Sequence, residues 1–171
     1  MKQNKINKKF VYLISPNKIP NINFYDDLAL VLSSKKISFF QLRLKRDKEK
    51  NKLIIGKKIK KICKKYKVKF LINDDPLLAK KLNADGCHLG LKDTNIIEAR
   101  KIIGDKIIGT TCHNSIRLAK TAIKNKASYL AFGSFFSTKT KKTKYKASTK
   151  ILNKAKKLTK TPIVAIGGIN Y

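Results

Sequence analysis

Seven short apolar runs, rich in β-branched and aromatic residues, recur along the chain: Phe10 to Ile14, Ile37 to Leu42, Lys69 to Ile72, Gly86 to Leu89, Ile107 to Thr110, Tyr129 to Phe132 and Ile163 to Ile166. They are continuous rather than alternating, the signature of strands covered on both faces, as in parallel sheets flanked by helices. Between them the period changes. Ile55, Ile59, Ile62, Cys63 and Tyr66 share one helical face with lysines opposite. Shorter versions follow in Ala99, Ile102 and Ile103, in Ile116, Ala119, Ala122 and Ile123, and in Ile151, Leu152, Ala155 and Leu158. Asp75 before Pro76 predicts an N-cap with proline at the first helical position, and Asn114-Ser115 predicts a second cap. Gly104 and Gly109 are expected at connections. Strand and helix alternate from end to end, so the class is α/β.

Polar or glycine-bearing residues follow nearly every strand: Gln41 to Lys45, Asn73-Asp74, Gly90 to Asp93, Thr111 to Asn114, Ser137 to Lys141 and Gly167-Gly168. An open doubly wound sheet gathers such residues at one switch point. A (β/α) barrel brings all of these loops to a single rim, where enzymes of that fold place their sites. The pattern therefore predicts a TIM barrel, formed by one domain over residues 1–171. A chain of 171 residues with 42% hydrophobic content is long enough to bury roughly two-thirds of its unfolded surface.

Charge changes the picture less than its size implies. The 41 Lys+Arg against 10 Asp+Glu give +31, a field that attracts polyanions. Only Arg43, Arg46, Arg100 and Arg117 are arginines, and neither clustered Arg nor interleaved aromatics provide base readout or stacking. No specific nucleic-acid partner is expected; a basic anion- or nucleic-acid-binding protein is kept as the non-enzymatic alternative. Cys63, Cys87 and Cys112 form no CxxC pair and are odd in number, which reads as reduced thiols. The basic start, Met1 to Lys9, precedes only five apolar residues, too few for a signal peptide, and no run approaches membrane-spanning length. The expectation is a cytoplasmic protein with no membrane partner, its oligomeric state open.

Acid is concentrated in one place. Phe70 to Asp75 is an apolar run ending in an amide and two carboxylates, a candidate cation site. Asp75 fills the capping position, leaving Asp74 as the candidate ligand; Asp93, beside Thr94, fits either a second ligand or another helix cap. Arg43 and Lys45 stand two apart, on the same side of an extended chain. His88, inside a strand, reads as a satisfied interior histidine, and Thr138 to Lys146 also fits a mobile basic loop.

Gln41-Leu42-Arg43-Leu44-Lys45, Ile72-Asn73-Asp74, Ala84 to Gly90 with Asp93, and Thr138-Lys139-Thr140-Lys141, each after its own strand, resemble thiamine phosphate synthase from about Val11 to Gly168. The resemblance implies a TIM-barrel transferase joining hydroxymethylpyrimidine pyrophosphate to thiazole phosphate, so its partners are small-molecule substrates. It implies that Asp74 and Asp93 hold Mg²⁺, that Arg43, Lys45, Asn73 and Lys141 bind the pyrophosphate, and that Arg43, Lys45 and Lys141 act on the departing charge. Gln41 would help seat the pyrimidine, Thr138, Thr140 and Gly168 would contact the thiazole phosphate, and Thr111 stands where the family has a small hydroxyl residue near the substrate. The related thiazole tautomerases use a histidine in the stretch holding His113, as synthases also commonly do; a tautomerase-like or inactive relative is the enzymatic alternative. Ser137 replaces the family's usual proline. The family continues beyond the seventh strand through further helices and an eighth strand, so the expectation is a barrel with seven strands present and its C-terminal part missing.

Overall fold

The computed structural model describes residues 10–19, 21–137 and 145–169. Strands and helices alternate as β1 (Val11–Ile14), α1 (Phe24–Ser33), β2 (Ile37–Leu42), α2 (Glu49–Lys65), β3 (Lys69–Asn73), α3 (Pro76–Lys81), β4 (Gly86–Leu89), α4 (Ile96–Ile103), β5 (Ile107–His113), α5 (Ile116–Lys124), β6 (Tyr129–Phe132), α6 (Thr149–Leu158) and β7 (Ile163–Ala165). Every strand pairs in parallel with its sequence neighbour, so the seven-stranded sheet runs from β1 to β7 in chain order. This is the α/β barrel architecture read from the sequence.

The two-sided apolar strands have two separate destinations. One set of positions, including Phe40, Leu42, Phe70, Ile72, Cys87, Leu89, Ile108, Leu130 and Phe132, forms the layer shared with the helices, where it meets Leu32, Ile59, Cys63, Ala99 and Ala155. The alternate positions point the other way. Leu71, Tyr129 and Ala131, with Tyr12, Phe39, Ile107, Val164 and Ile166, make a smaller interior cluster inside the sheet's curve. Alternation along each strand assigns the two sets.

Two strands extend beyond the predicted runs: β3 takes in Asn73, and β5 continues to His113 past a register shift between Thr111 and His113. Polar residues thus end these strands rather than begin loops. Helix α1 was not predicted. Only Leu28 and Leu32 of it are buried, while Leu30 and Val31 face out, and those exposed apolar residues erase the stripe by which an amphipathic helix is recognised. Gly104 does end α4, with φ +61. Gly109 corrects the prediction: it lies within β5, and a Cβ there would stand 1.8 Å from the Tyr129 ring. Its role is to make room, not to turn the chain.

Candidate active site

The rim is built from the C-terminal ends of β2 to β5 and the residues that follow them. Gln41 is the penultimate residue of β2 and is 2% exposed. Its Oε1 accepts from the Tyr12 hydroxyl at 2.7 Å, and its amide N–H donates to Asn73 Oδ1. Arg43 follows; its backbone N–H donates to Ser15 Oγ at 2.8 Å and its guanidinium donates to the Asn17 side chain. Two residues on, the Lys45 ammonium lies 3.0 Å from the Asp74 carboxylate. A cleft of about 420 Å³ beside this point is lined by Lys45, Asn73, Asp74 and Asp75 together with apolar residues of β2, β3 and α3.

Asp74 and Asp75 divide their tasks by backbone geometry. Asp75 is extended at φ −126 and its carboxylate accepts from the Leu78 N–H at 2.8 Å, capping α3. Asp74 takes φ +63, a left-handed conformation that aspartate tolerates better than most residues. Its N–H donates to the His88 carbonyl at 2.7 Å, which ties the end of β3 to β4. Its side chain is hydrogen-bonded to Asp93. Asp93 in turn accepts from the Gly90 N–H at 2.8 Å. A Cβ on Gly90 would come within 2.5 Å of Asp93 Oδ2 and 3.8 Å of Asp74 Oδ1, so a glycine is what lets the loop close around this pair. Asn95, not Asp93, caps α4, accepting from the Glu98 N–H at 3.0 Å. The capping role open to Asp93 from sequence is thereby excluded.

The two carboxyls are electrostatically unequal. Burial works to raise Asp74, but hydrogen bonds from Asp93 and Lys45 outweigh it and hold the group below the ordinary carboxylate value. Asp93 moves the opposite way, raised by burial and then by its hydrogen bond with Asp74. Two adjacent carboxyls disfavour each other's ionisation, and the group with the cation beside it is the one that ionises first. Two hard oxygen donors meeting at a glycine-lined turn fit Mg²⁺, which is commonly held by one or two carboxylates with water and substrate phosphate completing its octahedron. No cluster of three or more His, Cys, Asp or Glu that could hold a metal occurs among the described residues.

A model of the thiamine monophosphate synthase family matches residues 11–171. The chain belongs to this family. It is 78% identical over 169 residues to the thiamine-phosphate synthase of Pelagibacter ubique (strain HTCC1062), spanning 99% of this chain and 82% of that protein. It is 38% identical to the thiamine-phosphate synthase of Nitrosomonas eutropha (strain DSM 101675 / C91 / Nm57), over 94% of this chain and 76% of that one. Among solved structures, thiamine phosphate pyrophosphorylase from Pyrococcus furiosus superposes with a TM-score of 0.82 at 28% identity, covering 94% of this chain and 76% of that chain.

Of the residues singled out for a thiamine phosphate synthase, Gln41, Lys45, Asn73, Asp74 and Asp93 are brought together in one connected group, with Arg43 on the strand end beside it. Thr111 joins this group through His88, its hydroxyl 2.9 Å from His88 Nε2. Gly168, at φ +67, packs against Phe136 and Ser137, where a Cβ would meet the Ser137 carbonyl at 2.3 Å. Thr138, Thr140 and Lys141 lie outside the described residues. His113, at φ +50, stacks on Tyr145 with ring centroids 4.0 Å apart. His88 is 7% exposed and bonded at both ring nitrogens, as an interior histidine should be. Sequence reasoning missed Tyr12 and Tyr129, counted there only as strand residues. Their signal was a hydroxyl on an aromatic at an inward-facing position, which register alone reveals.

Proposed function

We propose that the protein is a transferase of thiamine biosynthesis, condensing hydroxymethylpyrimidine pyrophosphate with thiazole phosphate to give thiamine phosphate and pyrophosphate, or with its carboxylated form to give the same products and CO2. The observation that carries this reading is the meeting of Lys45, the Asn73 amide and the Asp74–Asp93 pair at one end of a family barrel. In the reaction the thiazole nitrogen forms a bond to the pyrimidine's methylene carbon while the carbon–oxygen bond to pyrophosphate breaks. The electron pair leaves with the pyrophosphate oxygen, so no protein nucleophile or base is needed for the bond change. What the protein must supply is charge. Lys45 stands 3.0 Å from Asp74, Arg43 is assigned to the pyrophosphate with it, and stabilising a developing anion with such groups is worth on the order of 10²–10³ in rate per donor. Asn73 adds neutral N–H donors, and Lys141 is assigned the same duty as a cation from its place in the Thr-x-Thr-Lys segment.

Asp74 and Asp93 are the residues to hold Mg²⁺, which when bound supplies Lewis-acid neutralisation of the pyrophosphate. Lys45 then has two partners to choose between. It neutralises Asp74 in the free protein and is placed to turn to the incoming pyrophosphate. The tautomerase alternative has no comparable support, since a proton shift on thiazole needs neither the paired carboxylates nor the cations beside them. Steady-state assay of thiamine phosphate formation tests the reading: Arg43→Ala should lower kcat/KM at least about a hundredfold. A variant within a fewfold of the native protein would remove Arg43 from the site.

A further inference from the structure

Six side chains form one unbroken hydrogen-bonded chain through the barrel interior. Asn73 Oδ1 accepts from the Gln41 amide, and Gln41 Oε1 accepts from Tyr12 at 2.7 Å. The Tyr12 and Tyr129 hydroxyls lie 2.8 Å apart, Tyr129 lies 2.8 Å from His88 Nδ1, and His88 Nε2 lies 2.9 Å from Thr111 Oγ1. Gln41, His88 and Tyr129 are buried, at 2%, 7% and 4% exposure. Burial pushes both phenols up, so each keeps its single proton.

One proton per hydroxyl makes the chain directional. Tyr12 spends its proton on Gln41, so Tyr129 must donate to Tyr12; Tyr129 is then an acceptor toward His88, which must carry its proton on Nδ1. When the ring is neutral its Nε2 is bare and takes the proton of Thr111. At the other end the Gln41 amide occupies Asn73 Oδ1, leaving the Asn73 N–H₂ as the group offered outward. The reverse direction would invert every link: Gln41 flipped, Nε2 of His88 protonated, and the Asn73 carbonyl oxygen turned out.

We infer that Tyr12 and Tyr129 are positioning residues which, through Gln41, hold Asn73 with its N–H₂ toward the anionic substrate. An amide that could turn either way would show an anion a carbonyl oxygen part of the time, and a carbonyl oxygen repels it. The two tyrosines remove that freedom from a distance. Tyr129 can reach its partners because Gly109 leaves the space its ring fills, a Cβ there standing 1.8 Å from the ring. The glycine inside β5 and the tyrosine on β6 are therefore parts of one device.

The kinetic meaning of this inference rests on the function proposed above; its structural content does not, and two measurements separate them. Nitrogen NMR of the imidazoles, at a pH well above the ordinary histidine value of about 6.5, reads the direction of the chain. The sequence holds two histidines, and a His113→Gln sample assigns them. His88 protonated on Nδ1 is expected; protonation on Nε2 overturns the inference whatever the protein's activity. Calorimetric titration with magnesium pyrophosphate reads the consequence. Tyr12→Phe and Tyr129→Phe keep their rings and should each weaken binding by about five- to tenfold, the loss expected for one misdirected hydrogen bond. Adding Asn73→Ala to Tyr12→Phe should cost less than the two losses multiplied, because both act through the same amide. Full additivity in that cycle, or unchanged binding in both phenylalanine variants, also overturns it. No pyrophosphate binding by the native protein would instead count against the proposed function, with the NMR result still deciding the direction of the chain.

Discussion

Asp74 and Asp75 are adjacent, carry the same side chain and do different work, because one peptide unit turns left-handed and the next does not. That turn aims Asp74 at Lys45 and Asp93, while Asp75 closes the first turn of α3. Replacing Asp75 by alanine should therefore lower stability by roughly 1 kcal/mol, the ordinary loss for an N-cap, and leave magnesium pyrophosphate affinity within a fewfold. Denaturant melts and calorimetry on the same variant check both halves. A large loss of binding with normal stability would mean that the two aspartates share the cation. Sequence alone made this division, since proline after Asp75 marks the helix start. It left Asp93 undecided, and only the cap found at Asn95 settled that it does not start α4.

At the scale of elements, the strands were legible because a continuous apolar run five or so residues long has few other uses in a soluble α/β chain. What those runs conceal is which residues face inward. Tyr129 and Leu130 look equivalent in sequence, yet Leu130 joins the layer under the helices and Tyr129 the barrel interior. Gly109 was misread for the same reason: a glycine signals a turn locally, and its true partner is 20 residues away on the next strand. Helix α2 shows the opposite case, a regular stripe in which Ile59 and Cys63 are buried and Ile55, Ile62 and Tyr66 pack partly buried against the core. Ile59 is 0% exposed, whereas Ile54 on the same helix is 48% exposed. Ile59→Ala should cost about 2–5 kcal/mol and Ile54→Ala less than about 1, measured by urea unfolding. Equal losses would show that α2 does not dock on the sheet through this face.

For the whole molecule, burial also governs the response to pH. Cys63, Cys87 and Cys112 are free and buried, and burial pushes each thiol up to about 12. Unfolded thiols ionise near pH 8.5, so the stability these groups contribute is fully present below that value and is lost as pH rises toward 12. The raised phenols of Tyr12 and Tyr129 act in the same direction. Unfolding midpoints should therefore fall between about pH 8 and pH 10.5; a midpoint that rises over that range would contradict the burial of these groups. No helix among the described residues is long and apolar enough to cross a membrane, and the chain's net charge of +31 draws in anions such as the two phosphorylated substrates proposed for the rim. The central claim is that this rim makes thiamine phosphate by neutralising a departing pyrophosphate with the help of Asp74. It is tested most directly by following product from pyrimidine pyrophosphate and thiazole phosphate, with and without Mg²⁺, for the native protein and Asp74→Ala. The account predicts thiamine phosphate and pyrophosphate in equal amounts, formation abolished by chelation, and a rate at least about a hundredfold lower in the variant; product formed by Asp74→Ala within a fewfold of the native rate would contradict it.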